Sequence, residues 1–116
     1  MAKGKQKHQA RLDAINLLGK DLARRASQRC ELCEGKEDLR PYDTAPDDEP
    51  SFDTIALFCS RCRGLAAGEE ADEATLRFLE NAIWSDIPAV GATAVRLLKT
   101  VDAGWARSAL ETHGDQ

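Results

Sequence analysis

Four cysteines are the residues of this sequence whose type and spacing point most clearly to chemistry. They form two pairs with two residues inside each pair, Cys30 with Cys33 and Cys59 with Cys62, and 25 residues separate the pairs. Two thiolates at this spacing converge on one ion when the backbone between them makes a tight turn. The pattern predicts that all four cysteines bind a single metal ion, with zinc as the expected metal.

The surroundings of the cysteines favour a structural site. Glycine follows two residues after each pair, at Gly35 and Gly64, where a tight turn tends to need backbone angles that glycine adopts readily. Four thiolates complete a tetrahedron and leave no position for water or substrate. We therefore expect one structural zinc per chain, which would contribute to folding.

Three other interpretations use the same cysteines. Iron in a rubredoxin-like site has the same ligands, although the aromatic shell expected around a redox iron is thin here. Thiol redox chemistry needs only one C-x-x-C, whereas this chain has two with matching glycines. Disulfides fit poorly with the reducing compartment that we expect for this chain.

The cysteine segment also has the shape of a treble-clef nuclease of the HNH type, with a short hairpin between two C-x-x-C pairs. Such enzymes need histidines in the hairpin to bind a catalytic ion and activate water. Here Tyr42 and Asp43 stand in the first hairpin strand, and the two histidines, His8 and His113, lie near the termini. We expect no catalytic residues and no enzymatic activity, with a catalytically inactive HNH-like relict as one alternative.

Charge is distributed unevenly along the chain. Residues 1–29 carry eight basic and two acidic residues, a net +6, whereas the remainder carries eight basic and 18 acidic residues, a net −10. A basic segment of this kind can bind nucleic acid, and a solvated helix face is the simpler explanation. The candidate nucleic-acid contacts are Lys3, Lys5, Lys7, Arg24 and Arg25.

Composition and hydropathy restrict the class of protein. The chain has 116 residues, of which 42% are hydrophobic and 31% charged, values typical of one globular domain. No run of 18 apolar residues exists, and no apolar segment follows the basic N-terminus. We expect a cytoplasmic protein with no membrane partner.

The helices and strands that position the cysteines can be predicted from the spacing of apolar residues and from turn-forming residues. We predict a flexible basic tail over residues 1–8 and a single domain over 9–116. Within it, residues 9–29 contain a helix, 30–64 form the four-cysteine zinc segment with a strand hairpin, and 65–112 are helical. Ser85 is the expected N-cap of a helix that has Pro88 in its first turn. Trp84 and Trp105 are expected to pack within the helical segment.

Several motifs resemble the PhnA (YjdM-like) family. They are Cys30-Glu31-Leu32-Cys33, the strand leading into Cys59-Ser60-Arg61-Cys62, and Trp84-Ser85-Asp86-Ile87-Pro88-Ala89-Val90. The resemblance covers about residues 20–112 and implies a zinc-ribbon segment followed by helices, with zinc at the four cysteines. Thr75-Leu76 replaces a histidine–tryptophan pair of the family, and the C-terminal β-barrel domain of many members is not in this sequence. The family's link to alkylphosphonate utilisation implies a context and not an activity.

Together, these observations predict an α+β fold in which a small zinc-ribbon or treble-clef-like hairpin core packs with three to four α-helices. The function that we expect is a non-enzymatic zinc-binding module that binds an unknown macromolecule.

Overall fold

The computed structural model describes residues 2–114, with side chains from residue 8 onward. The described residues form an α+β fold of five α-helices and one two-stranded antiparallel sheet, which confirms the predicted fold class. In chain order the elements are α1 (Ala2–Arg25), β1 (Arg40–Asp43), β2 (Ile55–Phe58), α2 (Ser60–Ala66), a 3-10 turn (Glu73–Leu76), α3 (Leu79–Ala82), α4 (Pro88–Leu98) and α5 (Gly104–Gly114).

The hairpin lies between two separate apolar clusters. Residues of a strand point alternately to its two faces, and all four residues of β2 are buried. Ile55 and Leu57 pack with Ile15 and Leu22 of α1 in the smaller cluster. Ala56 and Phe58 belong to the larger cluster, which also contains three of the four cysteines. The sheet is therefore covered on one face by α1 and on the other by the later helices.

The larger cluster is the main core of the protein. Apart from two cysteines, its largest fully buried side chains come from β2, α4 and the segment around α3, and they are Phe58, Leu79, Ile83, Val90 and Leu98. Arg40 of β1 pairs with Phe58 of β2, and Asp43 pairs with Ile55, so that the end of β2 leads from this core directly into Cys59.

Helix α1 begins earlier than predicted. It begins at Ala2, whereas the apolar periodicity suggested a start near Gln9 after a flexible tail. Lysine, glutamine and alanine all have good helix propensity, which outweighs the cost of Gly4. The flexibility expected of residues 1–8 stays a prediction, and Met1 lies outside the described residues.

The connection into α4 also differs from the predicted one. Ile87, and not Ser85, occupies the N-cap position, with extended backbone angles of −88° and 115°. An extended residue is favoured there because Pro88 follows it and begins the helix. Ser85 Oγ accepts a hydrogen bond from the backbone N–H of Ile87 at 3.1 Å, so that its capping interaction lies just before the helix.

The two tryptophans differ in their environments. Trp105 donates from Nε1 to a carboxylate oxygen of Glu73 at 2.7 Å, and the guanidinium of Arg77 lies 4.8 Å from the ring centroid of Trp105. Trp105 thus packs α5 against the 3-10 turn, as expected. Trp84 was expected to pack as well, but it is 46% exposed, and its ring makes a T-shaped contact with the ring of His113, with centroids 5.3 Å apart.

No helix in the described part of the chain is long and apolar enough to cross a bilayer.

Candidate metal centre

The four cysteines converge on one point of the structure. Their Sγ atoms all lie within 4.8 Å of one another, and Cys33 Sγ lies 3.6 Å from Cys59 Sγ. All four cysteines are free, and a disulfide would require about 2.05 Å between two sulfurs. The structure brings together the sulfurs of both C-x-x-C pairs, as the spacing predicts.

The first pair lies in a tight turn after α1. The backbone N–H of Cys30 donates to the carbonyl of Gly35 at 2.7 Å, and the N–H of Glu34 donates to the carbonyl of Cys30 at 2.9 Å. Two further backbone N–H groups, those of Leu32 and Gly35, donate to Sγ of Cys30 and Cys33 respectively, each at 3.4 Å. These bonds orient both sulfurs towards one side of the turn.

The second pair lies at the start of α2. Cys59 follows β2 directly and is the N-cap residue of the helix, and its Sγ accepts a hydrogen bond from the backbone N–H of Cys62 at 3.5 Å. A zinc ribbon would place this pair in a second turn of the knuckle type. Because the pair opens a helix, the local geometry is treble-clef-like.

The two glycines after the cysteine pairs have a role different from the expected one. The positive φ of the first turn falls on Glu34, at 69°, and neither Gly35 nor Gly64 has a positive φ. A Cβ at Gly35 would lie 3.3 Å from Cys33 Sγ, and one at Gly64 would lie 1.9 Å from a carboxylate oxygen of Glu69. The constraint at Gly35 is therefore the nearby sulfur and not the backbone conformation. At Gly64 the close atom belongs to the end of an exposed, flexible side chain that can move aside.

Burial and mutual contact change the acidity of the thiols. The hydrogen bond between Cys30 and Cys62 lowers the pKa of Cys30 to about 4 and raises the pKa of Cys62. Burial raises the pKa of Cys33. One thiolate at this point therefore opposes the ionisation of its neighbours, and a bound cation is what would favour four thiolates together.

The dimensions of the cluster fit a tetrahedral metal ion. Zinc–sulfur bonds of about 2.3 Å place the sulfurs of a tetrahedron roughly 3.8 Å apart. The Cys33–Cys59 separation of 3.6 Å is close to that value, and no two of the sulfurs are more than 4.8 Å apart. Cys30, Cys59 and Cys62 are buried and Cys33 is half-buried, so the site lies beneath the surface.

The structure describes the side chains of two of the candidate nucleic-acid contacts, Arg24 and Arg25. Arg25 forms an ion pair with Glu31 at 2.8 Å, and only 23% of its side chain is exposed. Arg24 is 78% exposed and lies 3.8 Å from Asp21. The side chains of the other three candidates, Lys3, Lys5 and Lys7, lie outside those that the structure describes. Arg24 therefore stays a candidate contact, whereas Arg25 is engaged within the fold.

The hairpin residues that stand where an HNH nuclease has histidines make structural contacts. The ring of Tyr42 stacks on that of Phe58, with centroids 5.5 Å apart. Asp43 accepts a hydrogen bond from Arg11 Nε at 2.7 Å, and Arg11 also donates to the carbonyl of Ala45. Sequence reasoning identified Arg11 only as part of the basic segment, because no sequence pattern indicates that α1 crosses β1 at this point.

Comparison with known proteins gives no relative from which a function could be transferred. No protein-family model, curated protein or solved structure matches this chain. The resemblance to the PhnA family consequently stays a prediction based on the quoted motifs.

Proposed function

We propose that this chain is a structural zinc protein, one of a PhnA-like type, whose metal centre joins the hairpin to the helical core and whose surface binds a macromolecular partner without catalysis. The observation that carries the proposal is the convergence of four cysteine sulfurs within 4.8 Å inside the main core. Four thiolates fill the coordination sphere of zinc.

The position of the cysteines supports a role in folding. Cys30 and Cys33 come from the turn after α1, whereas Cys59 and Cys62 connect β2 to α2. A bound zinc would supply bonds between these two parts of the chain. Apparent binding free energies for structural zinc are on the order of 10 kcal/mol or more, which exceeds the whole stability of many domains of this size.

The role in folding is tested by chelation. Removal of zinc with a strong chelator is expected to abolish the near-ultraviolet circular dichroism signal of the aromatic side chains, and stoichiometric zinc is expected to restore it. Tyr42 and Phe58 lie in the core beside the cysteines, so their signal reports on this region. Unchanged spectra after complete metal removal would contradict a structural role. Visible absorbance from thiolate-bound iron in the purified protein would indicate electron transfer instead.

The absence of catalysis is tested by assay. Incubation of the zinc-loaded protein with DNA, RNA and a phosphonate should give no turnover. Turnover that is abolished by replacing Tyr42 or Asp43 would overturn this part of the proposal and support the HNH-like alternative.

Nucleic acid is the alternative partner. It is supported by the continuity of α1, because the helix includes residues 3, 5 and 7, all lysines, and ends near the exposed Arg24. Binding through these residues should weaken steeply with salt. Substitution of the three lysines and Arg24 by glutamine should then abolish a mobility shift on DNA or RNA. An unchanged shift would exclude α1 as the contact surface.

A further inference from the structure

One partly buried ion pair connects α1, the first cysteine turn and β2. Glu31 lies between the ligands Cys30 and Cys33, and only 3% of its side chain is exposed. Arg25 at the end of α1 donates to both carboxylate oxygens of Glu31, from Nε and from Nη2, each at 2.8 Å. Two parallel bonds of this kind fix orientation as well as distance.

Glu31 pairs with β2 through both its backbone and its side chain. Its N–H donates to the carbonyl of Leu57 at 2.8 Å, and its Oε1 accepts from the N–H of Leu57 at 2.8 Å. Leu57 lies opposite Pro41 in the hairpin register, and Glu31 pairs with both the N–H and the carbonyl of Leu57. The cysteine turn is thereby attached to the strand that leads into Cys59.

Arg25 extends the same attachment along the chain before and within β2. It donates to the carbonyl of Phe52 at 2.6 Å and to that of Ile55 at 3.0 Å. A guanidinium with this many partners has little freedom to reorient. The pair therefore fixes α1, the first cysteine turn and β2 relative to one another. The turn holds Cys30 and Cys33, and β2 leads directly into Cys59.

We propose that Glu31, held by Arg25, is a positioning residue of the metal centre, which fixes the Cys30–Cys33 turn against β2 so that both cysteine pairs face one ion. The proposal rests on the proposed zinc function. Groups outside the coordination shell that orient ligands usually affect metal affinity by about 10- to 100-fold when they are replaced. By reciprocal linkage, bound metal should also strengthen the attachment of α1.

The test compares zinc affinity in Glu31→Gln and in a matched control, Glu34→Gln. Both substitutions remove one negative charge beside a cysteine ligand, but Glu34 is exposed. Dissociation constants are measured by competition with a chromogenic chelator. We expect about 10- to 100-fold weaker binding for Glu31→Gln and a change of less than about threefold for Glu34→Gln. Equal changes in the two variants would overturn the proposal, because they would reflect charge alone.

A second readout separates positioning from general destabilisation. Cobalt loaded into the four-cysteine site gives absorption bands that depend on the geometry of its ligands. We expect altered bands in Glu31→Gln and in Arg25→Gln, and unaltered bands in Arg24→Gln, which removes the adjacent exposed guanidinium. Arg25→Lys keeps the charge but not the paired donors, and should rescue little of the affinity.

Two outcomes would contradict these expectations. Unchanged cobalt bands and unchanged zinc affinity in Glu31→Gln, together with a lower melting temperature, would show that Glu31 stabilises the fold without positioning the metal ligands. Failure of the wild-type chain to bind zinc or cobalt would instead contradict the proposed function itself.

Discussion

Cys33 Sγ lies 3.6 Å from Cys59 Sγ, although 26 positions separate the two residues in sequence. One residue belongs to the turn after α1 and the other caps α2 at the end of β2. This contact brings the two C-x-x-C pairs together across the hairpin. Substitutions in the two pairs are therefore expected to have non-additive effects on the free energy of unfolding.

The first prediction concerns the coupling of those two ligands. Cys33→Ser and Cys59→Ser should each destabilise the zinc-loaded protein by several kcal/mol, because a three-thiolate site holds the metal poorly. The double variant should be little worse than the more damaging single variant, since either substitution already removes most of the metal contribution. Urea unfolding in the presence of zinc measures the free energy of unfolding of the two single variants and the double variant.

Ser60→Ala is the control for these cysteine variants. Ser60 lies between the ligands and is exposed, so its replacement should change stability by less than about 0.5 kcal/mol. Additive effects of the two cysteine substitutions would argue against a shared metal.

The second prediction concerns the packing of α1 on the hairpin. Leu22 is fully buried in the smaller cluster with Ile55 and Leu57. Leu22→Ala should lower the free energy of unfolding by about 2–5 kcal/mol, because it removes apolar contacts and leaves a cavity. Leu17 on the same helix is 82% exposed, and Leu17→Ala should cost less than about 0.5 kcal/mol. Similar losses for the two variants in chemical denaturation would contradict this packing.

The third prediction is a stabilising substitution. Gly19 lies within α1, and nothing lies within 4 Å of the position that a Cβ would occupy there. Gly19→Ala should therefore raise the free energy of unfolding by roughly 0.5–1 kcal/mol through helix propensity. Gly68→Ala should have the opposite effect, because the φ of Gly68 is 104°, a conformation that strains an alanine. Thermal unfolding of both variants tests this, with a higher melting temperature expected for Gly19→Ala and a lower one for Gly68→Ala.

The fourth prediction concerns acid sensitivity at Asp38. Hydrogen bonds from Arg40, and to a smaller extent from Arg63, lower the pKa of Asp38 below its ordinary value. The ionised carboxylate is therefore favoured in the folded state. Its contribution is fully present above the unfolded pKa and is lost as the pH falls through the lower folded pKa.

The measurement is the difference in urea midpoint between the wild type and Asp38→Asn at a series of pH values. The difference should be constant near neutral pH and should shrink from about pH 5 downward. Release of metal by acid affects both proteins and cancels in the comparison. A difference in urea midpoint that grows as the pH falls would contradict the prediction that ionised Asp38 stabilises the folded state.

The local parts of the structure followed from the sequence because they depend on local chemistry. The two C-x-x-C spacings led to the candidate metal centre, and the apolar residues Ile55, Leu57 and Phe58 just before Cys59 led to the second strand of the hairpin. Both signals depend on residues that are close together in sequence. The four cysteines required no knowledge of the rest of the fold.

The parts that the sequence did not predict depend on contacts between distant segments. Arg25 was predicted only as a candidate nucleic-acid contact, and no role was predicted for Glu31, because only the approach of α1 to β2 buries the carboxylate. Trp84 read as a packing residue from its helical spacing, but the chain breaks into a 3-10 turn and the short α3, which leaves Trp84 at the surface. The burial of Glu31 and the exposure of Trp84 both depend on how distant segments of the chain pack together.

The measurement that tests the central claim most directly is the zinc content of the purified chain, determined by native mass spectrometry on the wild type and on Cys62→Ser. Cys62 is fully buried among the other three cysteines. We predict one zinc ion per wild-type chain and loss of that ion in Cys62→Ser. A wild-type chain that carries no metal, or a variant that retains a full equivalent of zinc, would contradict the four-cysteine site.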